Sequence, residues 1–146
     1  MTTDQVRVLG SAQVAALTSD QLTKLTADQI VALTTAQVAS FTTQQIQSLT
    51  TDQLNAMETR DLASLTTAQV AKLTSDQVTN LTTDLIVALS STQVSALTTG
   101  QVSILTTDQL VAMETRDLQA MTSSQVKALT SHQIQALTTD QLNALS

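Results

Sequence analysis

Leu17-Thr18-Ser19-Asp20-Gln21-Leu22-Thr23-Lys24 is followed, with no residue between, by Leu25-Thr26-Ala27-Asp28-Gln29-Ile30-Val31-Ala32. The two octads share a leucine, a threonine, a glutamine and a second aliphatic residue at fixed places, and the frame runs on in both directions without an insertion. Octads start at Met1, Leu9, Leu17 and every eighth residue thereafter to Leu145, so the 146 residues hold eighteen complete units. Their consensus is Leu-Thr-Thr-Asp-Gln-Val-x-Ala, and the sixth place is Val, Ile or Leu in every unit. A fixed short period decides the architecture before local propensity does, because such a unit can bury its apolar side chains only against its neighbours.

No regular element fits this period if it runs through several octads. At about 100° per residue, a continuous helix would rotate its apolar stripe by about 80° with each octad. Coiled coils need repeats of seven or eleven, and in a strand the first and sixth positions would point to opposite faces. Each octad instead carries its own helix start. Thr-x-x-Gln is a capping box, in which the Thr hydroxyl accepts from the Gln backbone N–H and the Gln side chain accepts from the Thr backbone N–H. The flanking Leu and Val/Ile/Leu then occupy the two positions of a hydrophobic staple. Thr18 with Gln21, Thr26 with Gln29 and Thr50 with Gln53 are the clearest such pairs and are assigned to structural capping. Asp at the fourth position, as at Asp20, Asp28 and Asp52, lies in the first turn and complements the helix dipole.

Thr is a poor residue inside a helix and a good one at its start, so a Thr at almost every second position predicts one short helix per octad. The eighth position is usually Ala and seldom a residue suited to a left-handed cap, which predicts a bend at each joint. A bend shared by all octads winds the chain into a superhelix, with two to four octads per turn. The expected fold class is therefore all-α: a solenoid of very short capped helices forming a single repeat array over residues 1–146. Helices this short are unstable alone, so stability must come from stacking octad on octad.

Composition removes most chemistries. The chain has no Cys, Pro, Trp or Tyr, Phe41 is its only aromatic residue and His132 its only histidine. Disulfides and Cys/His metal sites are ruled out, and a nucleophile would lack its partner base, since His132 sits at the fourth position, where other octads carry a solvated Asp. Gly10 and Gly100 are isolated, so no phosphate-cradling loop exists. No cofactor and no enzymatic activity are expected. A net charge of −6 with six scattered Lys and Arg disfavours nucleic acid. No stretch approaches the ~20 apolar residues of a membrane span, and Met1-Thr2-Thr3-Asp4 lacks the features of a signal peptide.

The clearest departures from consensus are Met57-Glu58-Thr59-Arg60-Asp61-Leu62 and its copy Met113-Glu114-Thr115-Arg116-Asp117-Leu118, seven octads apart. Neighbouring octads match at the same distance, which points to duplication of a seven-octad block. Here Glu58 and Glu114 replace the capping Thr, Asp61 and Asp117 replace Gln, and Arg60 and Arg116 are placed to pair with the flanking carboxylates. The expected role is a structural variant with exposed, weak ion pairs. Two carboxylates per octad are too few for an autonomous Ca²⁺ cage, although stacked octads would combine theirs. Leu85 is the single apolar replacement of Gln; it is read first as tolerated drift in one cap of eighteen, since a cap is worth only about 1 kcal/mol, and otherwise, with Ile86 and Val87, as widening the apolar strip or marking a contact patch. Asn80-Leu81-Thr82 matches a glycosylation sequon.

Read from Leu17 through Ala144, the run Leu-Thr-x-x-Gln-(Val/Ile/Leu)-x-Ala resembles the octapeptide arrays of very long repetitive bacterial proteins that are secreted or displayed on the cell surface. The resemblance covers nearly the whole chain. It implies a spacer or adhesin-like segment and a secreted or cell-surface location, and supplies no motif residues of its own. The array starts in register at Met1 and stops two residues into another octad, so it is read as an excerpt of a longer array, with end-to-end self-association expected of its last layer. The leading functional class is a non-enzymatic structural module, either a spacer or a scaffold for an unknown protein or surface partner. The alternative is binding to an ordered surface such as ice or a polysaccharide through regularly spaced Thr pairs, among them Thr34-Thr35, Thr42-Thr43 and Thr50-Thr51.

Overall fold

The computed structural model describes all 146 residues. It is entirely helical, with one helix per octad and no strand, from α1 (Thr3–Arg7) to α18 (Thr139–Ala144). The helices are four to six residues long. Each begins where the backbone leaves an extended conformation at the second position of its octad, as at Thr18 with φ −73° and ψ 159°. Eight end where the chain becomes extended again at the first position of the next octad, as at Leu49 with φ −58° and ψ 136°; the other ten close on a residue still in the right-handed helical region, as at Ala32 with φ −74° and ψ −12°. No residue has a positive φ, so the bend between octads is made by extended residues rather than by a left-handed cap. That explains why Ala, Ser and Lys are accepted at the eighth position and glycine is not required there.

The packing follows one rule throughout. Each helix lies against the third helix before it and the third after it. Thus α4 (Ala27–Val31) touches both α1 and α7 (Thr51–Ala56), and the relation continues unbroken to α15 (Thr115–Gln119) against α18. The sixth-position side chains sit deepest. Val6, Val14, Leu22, Ile30, Val38, Ile46, Leu54 and Leu62 are each 0% exposed. First-position side chains close over them from the joints, with Phe41, Met57, Met113 and Met121 buried in places where other octads put Leu. Side chains of these two positions, joined by Leu85 and Ala144, form one continuous cluster of 32 residues, each larger aliphatic member contributing about 2 kcal/mol of burial. Leu85 and Ile86 both belong to this cluster, so the apolar replacement of Gln widens the core and is not a surface patch. Toward the last octads the cover thins: Val126 and Ile134 are half-buried and Leu142 is 40% exposed.

Candidate functional site

The feature that recurs with most chemical detail is the joint between consecutive octads, and it is built around the fifth-position glutamine. Gln21 Oε1 accepts from the backbone N–H of Thr18 at 3.0 Å, while Gln21 N–H donates to Thr18 Oγ at 3.2 Å. The corresponding pairs are 2.9 and 3.3 Å for Gln29 with Thr26, and 3.1 and 3.1 Å for Gln53 with Thr50. Both halves of the box are present in every octad except the four that begin at Leu9, Met57, Leu81 and Met113, where Gly10, Glu58, Leu85 and Glu114 interrupt it.

Capping employs only the oxygen of the glutamine amide. Its nitrogen turns outward and enters a joint on the preceding turn of chain. Gln77 Nε2 donates to the carbonyls of Ile46 at 2.8 Å and Leu49 at 2.7 Å, which lie 31 and 28 residues earlier. Gln101 does the same to Val70 and Leu73 at 2.9 and 2.8 Å, and Gln125 to Val94 and Leu97 at 2.8 and 2.7 Å. A helix ends with carbonyls that have no donor of their own, and the first-position carbonyl is one of these. The glutamine of a later octad caps it in trans. The amide is thereby fully used, with both N–H groups and the oxygen engaged, and it can be buried: Gln77 is 3% exposed and Gln125 2%. Gln29 Nε2 also reaches back one turn, to the carbonyl of Met1.

Sequence reasoning from the capping box alone misses this second bond, although one signal carries it. A capping box is served equally well by Glu or Gln, yet Glu never occupies the fifth position of this chain. Only the amide can both accept for its own helix and donate to another.

The three octads that lack the glutamine show what the joint requires. Asp61 and Asp117 are shorter and carry no donor, so no side chain reaches the carbonyls of Leu33 and Leu89 beneath them. Both carboxylates lie in the position of the buried amide, 0% and 1% exposed, and so differ from the exposed ion pairs expected of this variant. The arginines are exposed: Arg60 Nε lies 2.7 Å from Glu58 and 3.7 Å from Asp61, and Arg116 Nε 2.8 Å from Glu114 and 3.6 Å from Asp117. Asp117 also accepts from Ser91 Oγ at 2.7 Å, whereas neither oxygen of Asp61 has a hydrogen-bond partner. Burial therefore pushes the Asp61 carboxyl above its ordinary value, against the lowering effect of Arg60. At Leu85 the missing oxygen is replaced from the turn below. Asn55 Oδ1 accepts from Thr82 N–H at 3.2 Å, and Asn55 Nδ2 donates to the carbonyl of Asn80 at 2.7 Å.

The threonine pairs divide their tasks. Thr34, Thr42 and Thr50 turn their hydroxyls to the N–H groups of Gln37, Gln45 and Gln53 at 3.3, 3.1 and 3.1 Å, while Thr35 and Thr43 are exposed. His132 is exposed. No three acidic or histidine side chains converge, and no helix is long and apolar enough to cross a membrane. A family model described as the ALTTAQ repeat matches residues 1–27, 25–59, 54–91, 86–115 and 110–146, and the six letters of its name are spelled by Ala32-Leu33-Thr34-Thr35-Ala36-Gln37. No curated protein and no solved structure matches the chain.

Proposed function

This chain belongs to the ALTTAQ repeat family, and on that premise we propose that it is a solenoid whose work is mechanical: a narrow superhelix of capped helices that sets a distance or presents a scaffold, without catalysis. The observation that carries the reading is the glutamine joint. Because the glutamine Nε2 groups that have a turn beneath them bond 28 to 31 residues back, as at Gln77, one turn takes roughly three and a half octads, and each turn repeats these bonds on the one before it wherever the glutamine is present. A module of this kind gains length by adding octads and needs no site distinct from its joints. The fourth position is exposed in every octad and takes no part in the glutamine bonds, which suits it to meeting a partner.

The test is a change of length. Deleting residues 57–112, a whole seven-octad block, joins Ala56 to Met113 in register. Small-angle scattering is expected to return the same cross-section and a shorter long dimension, with a helical circular dichroism spectrum in both proteins. A compact, equiaxed particle or a β spectrum would remove the solenoid reading. Binding to ice or a polysaccharide is the weaker alternative, because one hydroxyl of each Thr pair is engaged in capping. Inhibition of ice growth by the full chain would revive it.

A further inference from the structure

The octad from Met57 to Ser64 puts a carboxylate where the octads on either side of it put an amide. In those neighbours, Gln53 Nε2 lies 3.0 and 2.9 Å from the carbonyls of Leu22 and Leu25, and Gln69 Nε2 lies 3.2 and 2.7 Å from those of Val38 and Phe41. The joint between them is faced by acceptors only. Leu33, 1% exposed, receives no donor on its carbonyl, and both oxygens of Asp61, which is 0% exposed, are likewise without one. Three buried oxygens therefore surround the place that a glutamine nitrogen holds in the adjoining joints, because aspartate is one methylene too short to bring an atom of its own there. Buried polar atoms without a partner are rare enough to need a cause, and here the deficit is one of charge as well as of hydrogen bonds.

We propose that this joint binds a monovalent cation of the size of potassium, held between the Asp61 carboxylate and the carbonyls of Ile30 and Leu33. The inference rests on the superhelical reading above, since the stacking of turns is what lays Asp61 over residues 30 and 33. Ligand type, spacing and charge each select this class of ion. All the facing atoms are oxygens, which suit hard cations and not thiophilic metals. An ion in the place of the amide nitrogen would stand as far from the carbonyls as Nε2 does in the adjoining joints, 2.7 to 3.2 Å. Ca²⁺ takes its oxygens at roughly 2.3–2.6 Å and Mg²⁺ at roughly 2.0–2.1 Å, too close for this spacing. Two negative charges, Asp61 and Glu58, stand against the one positive charge of Arg60, so a single further positive charge balances the octad. Arg60 does not compensate Asp61 itself: its Nε lies 2.7 Å from Glu58 and 3.7 Å from Asp61, and the guanidinium is exposed, where pairing is weak. A water molecule would satisfy the acceptors and leave the buried charge uncompensated. The cleft of about 340 Å³ that borders Leu33 and Arg60 lies at the edge of the joint and offers an ion a way in. The copied octad supplies an internal contrast, since Asp117 already accepts the Ser91 hydroxyl at 2.7 Å and should hold a cation less well.

Thermal melts of the full chain followed by circular dichroism test the proposal, at neutral pH and fixed ionic strength, with potassium chloride replacing tetramethylammonium chloride. Tetramethylammonium is too large for the joint and leaves Asp61 without a counter-ion. The wild-type midpoint is expected to rise with potassium in the manner of one saturable site. Asp61→Asn keeps the shape of the side chain, removes its charge and supplies a donor, so it should abolish the potassium response, whereas Asp117→Asn should leave most of it. A helical wild type indifferent to potassium, or a response of equal size in Asp61→Asn, overturns the site. A stronger response to calcium than to potassium, lost in Asp61→Asn, overturns the choice of a monovalent ion. A spectrum without helix in every salt overturns the superhelical reading and the site with it.

Discussion

Asp61 and Asp117 occupy equivalent places, and the difference between them is one hydroxyl. Ser91 donates to Asp117, while both Asp61 oxygens are buried without a donor. Leaving such a group unsatisfied costs about 1–3 kcal/mol. Asp61→Gln restores both the capping oxygen and the donor to the Leu33 carbonyl, and it should raise stability by about that amount in thermal or urea melts. Asp117→Gln should gain less. The same residue sets a pH dependence. Its folded value is raised, so the folded chain holds this proton more tightly than the unfolded chain does. Stability is therefore greatest in acid and falls as pH climbs from the ordinary carboxylate range through the raised value. The charges around it are Glu58 and Arg60 on its own octad, with Asp84 and Arg7 lining clefts beside Arg60. Melting temperature followed from acid to neutral pH should decline in wild type, and the part of the decline due to this group should vanish in Asp61→Asn.

A single element, one capped helix with its joint, is the unit in which the energetics can be separated. In α10 (Ser75–Asn80) Gln77 is buried with its N–H groups on two carbonyls. Gln77→Glu replaces that donor with a charge facing acceptors, and should cost roughly 3 kcal/mol or more at neutral pH. The same substitution at Gln5, where no turn lies beneath, should cost little within a single chain. In α11 (Thr83–Val87) the borrowed oxygen of Asn55 can be isolated with a double-mutant cycle. Asn55→Ala should cost about 1 kcal/mol in wild type and much less in the Leu85→Gln background, where the side chain at position 85 again serves Thr82. Equal costs in the two backgrounds would remove the borrowed-cap account. What the sequence makes legible is local: Thr18 and Gln21 are three residues apart, and their reciprocal capping follows from that spacing. The partner of Gln77 Nε2 is not legible in the same way, because it is a backbone carbonyl 28 residues away and carries no side-chain signature. Burial of Asp61 escapes a local reading for the same reason, since the turn that covers it is remote in sequence.

Across the whole molecule, the turn length and the duplicated block stand in a simple ratio. One turn takes about 28 residues, as the Gln77 to Leu49 bond measures, so a seven-octad block is two turns and its copies fall on the same side. The charges follow this period. All twelve acidic residues lie within residues 1–5, 20–33, 48–61, 76–89, 104–117 and 132–145, and none within 6–19, 34–47, 62–75, 90–103 or 118–131. One flank of the coil is therefore acidic, and the other carries Ser, Thr, Ala and Gln with Arg7, Lys72 and Lys127. Deleting a seven-octad block should preserve this two-sidedness. Deleting three octads should keep the helices and smear the charge around the coil, a difference that binding to a cationic surface at low salt would register. The glutamine joints also govern how the coil responds to force. A pull along its axis loads the bonds between turns before it loads the covalent backbone, and those bonds are alike and arranged in series. The chain should lengthen in small steps at nearly constant tension, drawing on the roughly 500 Å that its residues span when straightened, and shorten again as the amides find their carbonyls, so that the proposed spacer would also be a spring.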